Sequence, residues 1–79
     1  MQSVSIMLNS IERVKSFSNL VLYADFDIDL VAGRYVINAK SIMGIFSLDL
    51  TKPLELVMHC DSQEECTRFK DTIKDFVVS

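Results

Sequence analysis

Residues 25–32 give the clearest alternation in the chain: Phe26, Ile28, Leu30 and Ala32 fall on one side, and Asp25, Asp27 and Asp29 on the other. A period of two residues belongs to a β-strand with one face in a core and one in water. Gly33 follows as a turn residue, and residues 35–39 return as a second strand, so the two runs read as a hairpin. A hairpin with a single apolar face needs a covering layer, which the remaining segments have to supply.

They supply it in order. Residues 3–8 alternate with Val4, Ile6 and Leu8 on one face, which predicts a first strand. Asn9 opens Asn-Ser-Ile-Glu, a polar cap followed three residues later by Glu12, which can bond back to the cap amide. From Ile11 onward Val14, Phe17, Leu20 and Val21 recur at helical spacing, predicting a helix over residues 10–22. After the hairpin, Ser41 begins a short helix ending near Leu48, and Thr51-Lys52-Pro53 forms a loop because proline bars further helix. Residues 54–60 form the last strand, with Leu54, Leu56, Met58 and Cys60 on one face and Glu55, Val57 and His59 on the other. Ser62-Gln-Glu-Glu65 then reads as a capping box with acids at the positive end of the helix dipole. Cys66, Phe69, Ile73, Phe76 and Val77 make the stripe of the final helix, with Lys70 and Lys74 away from it.

The order is strand, helix, strand, strand, helix, strand, helix. Its economical packing is α+β: a four-stranded antiparallel sheet with three helices on one face. At 79 residues this is one domain, 1–79, and hydrophobic residues at 49% suffice for a core. The net charge of −3 gives no basic footprint for nucleic acid or anionic lipid. The longest apolar run is residues 20–24, too short to span a membrane. The N-terminal segment lacks a signal-peptide pattern, so a cytoplasmic chain is expected. In that compartment Cys60 and Cys66 are expected as reduced thiols. With His59 they lack a fourth ligand of recognisable spacing, so no metal is expected.

The chain has one histidine, two glycines and no phosphate-cradling loop or paired catalytic motif, so a self-contained catalytic site and a cofactor are not expected. Its many carboxylates sit where solvated strand faces and helix starts place them. The more informative stretch is residues 39–50, AKSIMGIFSLDL. Ser41 is a good N-cap, and Ile42, Met43, Ile45 and Phe46 crowd a helix too short to hide all four against one core. Ile42 and Phe46 are spaced i, i+4, whereas Met43 lies off that line and is the better candidate for exposure. Apolar groups left in water beside a polar rim mark a docking surface. Such a helix could also pair with itself across a two-fold axis, whereas the acidic face of residues 25–29 disfavours sheet-on-sheet stacking.

Lys40-Ser41-Ile42-Met43-Gly44-Ile45, followed by Ser47-Leu48, resembles the regulatory-serine segment of HPr, the small phosphocarrier of the bacterial sugar phosphotransferase system. The resemblance runs without a gap from about Asp27 to Glu65. It implies an open-faced β-sandwich of order βαββαβα, the same order the residues give by themselves. It also implies a regulatory role for Ser41, which matches a serine phosphorylated by a bifunctional kinase in that family. Lys40, Ile42, Met43, Ile45 and Phe46 would then contact protein partners: phosphotransferase components, HPr kinase or a transcription regulator. The family carries phosphate on a histidine between the first strand and first helix, with Arg two residues later and Pro one further. Here that region reads Leu8-Asn9-Ser10-Ile11-Glu12-Arg13, without the histidine or the proline. In that respect the chain is similar to catabolite-repression HPr. Glu12 would repel a phosphoryl group that a helix start otherwise attracts. The resemblance therefore implies a degenerate, non-catalytic member whose working residue is Ser41. The remaining alternatives are a phosphoacceptor relocated to His59, or a scaffold that keeps only the fold.

Overall fold

Residues 2–78 are described by the computed structural model. They form β1 (Gln2–Ile6), α1 (Ile11–Val21), β2 (Ile28–Ala32), β3 (Tyr35–Asn38), α2 (Ile42–Phe46), β4 (Leu54–Met58) and α3 (Gln63–Thr72), then a 3-10 turn over Lys74–Phe76. The strands make one antiparallel sheet in the order β1-β4-β2-β3. Register pairs Ile6 with Leu54, Leu30 with Leu56 and Ile28 with Met58, which places one apolar residue after another on the same face. Those side chains are buried against Val14, Phe17 and Val21 of α1, Ile45 of α2, and Cys66, Phe69 and Ile73 from the last helix and its end. Each such aliphatic side chain contributes about 1.5–3 kcal/mol on full burial. The hairpin expected from the alternation is present, and Gly33 takes φ 60 in its tight turn, a backbone conformation that glycine adopts without steric cost.

Four local expectations are corrected. The cap of α1 is Ser10, not Asn9: its hydroxyl accepts from the Arg13 amide at 3.2 Å, and Ile11, assigned to the apolar stripe, faces solvent. Ser62 caps α3 as expected, accepting from the Glu65 amide at 3.2 Å, but no return bond from Glu65 forms among the described residues. The last helix stops at Thr72, because Ile73 leaves the helical region at φ −103, ψ 16. That break swings Phe76 over to pack edge-on against Phe17, with ring centroids 5.8 Å apart, and lets Val77 bridge to Ile6 at the outer edge of β1.

The fourth correction concerns the cysteines. Cys60 and Cys66 are joined as a disulfide rather than held as separate thiols, with Cα atoms 5.8 Å apart. Spacing alone did not show this. β4 ends at Met58 and α3 begins at Gln63, so Cys60 lies in the short connection and Cys66 in the first turn of the helix, which brings the two together.

Candidate regulatory helix and the start of α1

The chain leaves β3 through a turn locked by Asn38. Its carbonyl accepts from the Ser41 amide at 2.9 Å, and its side-chain Oδ1 accepts from the Lys40 amide at 2.8 Å. This fixes where α2 begins. Ser41 is extended (φ −90, ψ 91), its hydroxyl accepts a long bond of 3.4 Å from the Gly44 amide, and its side of the turn is open to water. Lys40 reaches back along the surface, its Nζ donating at 3.4 Å to the carbonyl of Ala24, in the loop that follows α1.

At about 100° per residue, Met43 lies roughly 160° round the helix from Ile45, with Ile42 and Phe46 between them. Exposure follows that geometry: Ile45 is 0% exposed, Ile42 39%, Phe46 40% and Met43 79%. Ile45 therefore leaves the set of partner-contacting residues, because it is the side chain that anchors α2 to the core. The other three remain at the surface beside Ser41. Ser47 ends the helix, its hydroxyl donating to the Gly44 carbonyl at 2.6 Å.

The start of α1 is built differently. Ser10 is committed to capping and Glu12 is exposed in the first turn. Arg13 is turned inward: its Nε and one terminal nitrogen donate to the Met7 carbonyl at 3.3 and 3.0 Å, and that nitrogen also donates to the Asp75 carbonyl at 3.1 Å. Its guanidinium carbon sits 4.7 Å above the Phe76 ring. Arg13 thus ties the C-terminal turn to the first helix and offers no free cation at the helix start. Sequence reasoning missed this role, since nothing near Arg13 in the chain announces a partner 62 residues away.

His59 lies on the open face of the sheet, as the alternation predicts. Its amide donates to the Asp27 carbonyl, and its Nε2 is 2.9 Å from Asp29 Oδ2 across the β2–β4 boundary. Register explains the pair: Asp29 stands opposite Val57, so His59 is its diagonal neighbour on the same face. The pairing was not visible in the sequence, where the two residues are 30 apart. Among the described residues no cluster of three or more His, Cys, Asp or Glu side chains converges on a point where a metal would sit. Among the described residues no helix is long and apolar enough to cross a membrane.

No family model matches the chain, and no curated protein matches it. Among solved structures it is similar to HPr-C-His from Thermoanaerobacter tengcongensis, with a TM-score of 0.74 and 24% sequence identity. The match covers 95% of this chain and 93% of that chain. The fold is therefore HPr-like, an α+β open-faced sandwich.

Proposed function

We propose that this chain is a regulatory, partner-binding module of a bacterial phosphotransferase system, acting through Ser41 and the outer face of α2. It is not itself a catalyst and carries no phosphohistidine. The observation that supports this most is the contrast between two helix starts. At α2 an exposed serine hydroxyl adjoins Ile42, Met43 and Phe46. At α1 the serine cap, exposed like Ser41, has no such apolar rim beyond Ile11: a carboxylate stands in the first turn and the arginine is tied to the C-terminal turn.

Phosphorylation of Ser41 is compatible with the fold. It brings about −1.5 to −2 charges to the positive end of a helix and to its free amides. The bond it disturbs, to the Gly44 amide, is long. The modified surface is charged at Ser41 and apolar at Met43, so partners that read both distinguish the two forms. Those partners are phosphotransferase components, HPr kinase or a transcription regulator. Binding of HPr kinase checks the surface: Met43→Ser should weaken it at least about tenfold, the effect of losing an exposed apolar anchor. The melting temperature should not move, because Met43 makes little contact with the core. Unchanged binding would remove α2 from the account.

A second reading has one observation in its favour: Asp29 orients the His59 imidazole and leaves its other ring nitrogen unengaged, as a nucleophile requires. Against it, Asp27, Asp29 and Glu55 share that sheet region and repel an incoming phosphoryl donor. Incubation with phosphoenolpyruvate and enzyme I separates the readings. Acid-labile, base-stable phosphate on the protein would establish phosphotransfer at His59 and overturn the first reading.

A further inference from the structure

The two edges of the sheet are treated unequally. Along β1 the C-terminal segment covers the edge: Ile6 bridges Val77, the Met7 amide donates to the Phe76 carbonyl at 2.9 Å, and the Val78 amide donates to the Ser5 carbonyl at 2.9 Å. Along β3 nothing comparable lies outside the strand among the described residues. The Ala39 amide donates to the Ile28 carbonyl at 2.8 Å, continuing the register that pairs Ile37 with Leu30 and Tyr35 with Ala32. In an antiparallel ladder the residues that bond one neighbour alternate with those that bond the other side. Ala39, Ile37 and Tyr35 thus turn their backbone groups toward β2, and Val36 and Asn38 turn theirs outward. The Asn38 carbonyl already accepts from Ser41, so the free groups are the Val36 amide and carbonyl and the Asn38 amide. Tyr35 and Val36 are 69% and 64% exposed, and the strand has no lysine, proline or inward charge to discourage pairing.

We propose that β3 is the pairing edge of a two-fold dimer of this chain, with Val36 opposite Val36 of the partner subunit and four strands from each copy joined in one continuous sheet. A second copy fits because the edge is complementary to itself. With the axis at Val36, the outward amide and carbonyl of each Val36 bond those of the other, and Tyr35 stands opposite the partner's Ile37 as a close, non-hydrogen-bonded pair. The charges also match. Arg34, at the hairpin end, comes beside the partner's Asn38, whose neighbour in β2 is Asp29. Asp29 uses Oδ2 for His59, which leaves Oδ1 to receive Arg34. The axis repeats that contact and keeps the two Arg34 side chains apart, at opposite ends of the paired strands. Val36 and its partner meanwhile extend the apolar patch begun by Val31, the cross-strand neighbour of Val36.

Sedimentation of the full chain from low micromolar to millimolar concentration tests the pairing, with amide hydrogen exchange measured alongside. The expected result is a reversible monomer–dimer equilibrium in which exchange at Val36 slows as the dimer fills. Val36→Lys, at an exposed position, sets two like charges face to face on the axis and should raise the dissociation constant at least about tenfold. Met43→Lys should leave it unchanged. A chain that stays monomeric at millimolar concentration would overturn the proposal. So would a dimer that survives Val36→Lys and is lost with Met43→Lys, which would assign self-association to α2 instead.

Discussion

A Cβ built on Gly44 would stand 2.7 Å from Ile37 Cγ2 and 3.0 Å from Ser41 Oγ. The middle of α2 therefore rests on β3 at a separation only glycine permits, and the Ser41 hydroxyl is held on the same contact. The glycine is set by close approach rather than by backbone angle, since among the described residues positive φ falls at Gly33 and not at Gly44.

Gly44→Ala accordingly sets two effects against each other. Alanine is favoured over glycine inside a helix by about 1 kcal/mol. Forcing a methyl group against a β-branched side chain costs about 1–3 kcal/mol. The second should win, with a melting temperature lowered by several degrees for a domain of this size. Ile37→Ala removes the opposing methyl, and in that background Gly44→Ala should become neutral or stabilising. A double-mutant cycle followed by thermal unfolding measures the coupling, and additive effects would contradict the contact.

Arg13→Ala should loosen the C-terminal turn. It removes bonds to the Met7 and Asp75 carbonyls and the stack on Phe76. Bonds to a charged donor contribute about 1.5–3 kcal/mol when shielded, and the partly exposed setting places the expected loss at the low end. Lysine should not rescue it, lacking the planar fork that reaches both carbonyls. Hydrogen exchange at Met7 and Val78 should quicken in both variants. Unchanged protection there would show that Arg13 is not the tie.

Reduction of the Cys60–Cys66 disulfide opens a loop of sequence separation 6. Chain entropy assigns a loop that short about 2 kcal/mol. Thermal unfolding with and without reductant should therefore differ, and Cys60→Ser should match the reduced protein. Intact mass under non-reducing conditions should lack two hydrogens. A full-thiol mass from protein purified without reductant would contradict the bond.

Asp49 holds the loop after α2. Its carboxylate accepts from the Thr51 hydroxyl at 2.5 Å and the Thr51 amide at 3.1 Å, which together with nearby Lys52 hold its pKa below the ordinary aspartate value. A lowered folded-state pKa stabilises the protein above the unfolded value, about 3.9, and that stabilisation fades as pH falls through the folded one. Carbon-detected titration of Asp49 should show its pKa rising toward the ordinary value in Thr51→Val. An identical titration in both proteins would contradict the assigned cause.

Much of the fold was legible because alternation in β2 and β4, and helical spacing in α1 and α3, each name a single buried face. What the sequence hid were contacts made between elements. Arg13 with Asp75, His59 with Asp29 and Cys60 with Cys66 depend on register or on a turn folding back, and no local pattern encodes either. Ser10 displaced Asn9 as the cap because both are good caps and propensity does not rank neighbours. At the candidate site, Met43 was readable as exposed and Ile45 was not readable as buried. A five-residue helix carries too few positions to define its stripe, and contact with the core decides it.

The central claim is that Ser41 on α2, rather than a histidine at the start of α1, is the residue through which this chain is regulated. Treatment with HPr kinase and ATP, followed by mass spectrometry of the peptide containing Ser41, tests it most directly. The account predicts one added phosphoryl group, located at Ser41 and absent from Ser41→Ala, with amide spectra unchanged outside α2 and its flanking turns. An unmodified Ser41 would contradict it and leave a scaffold that retains only the fold.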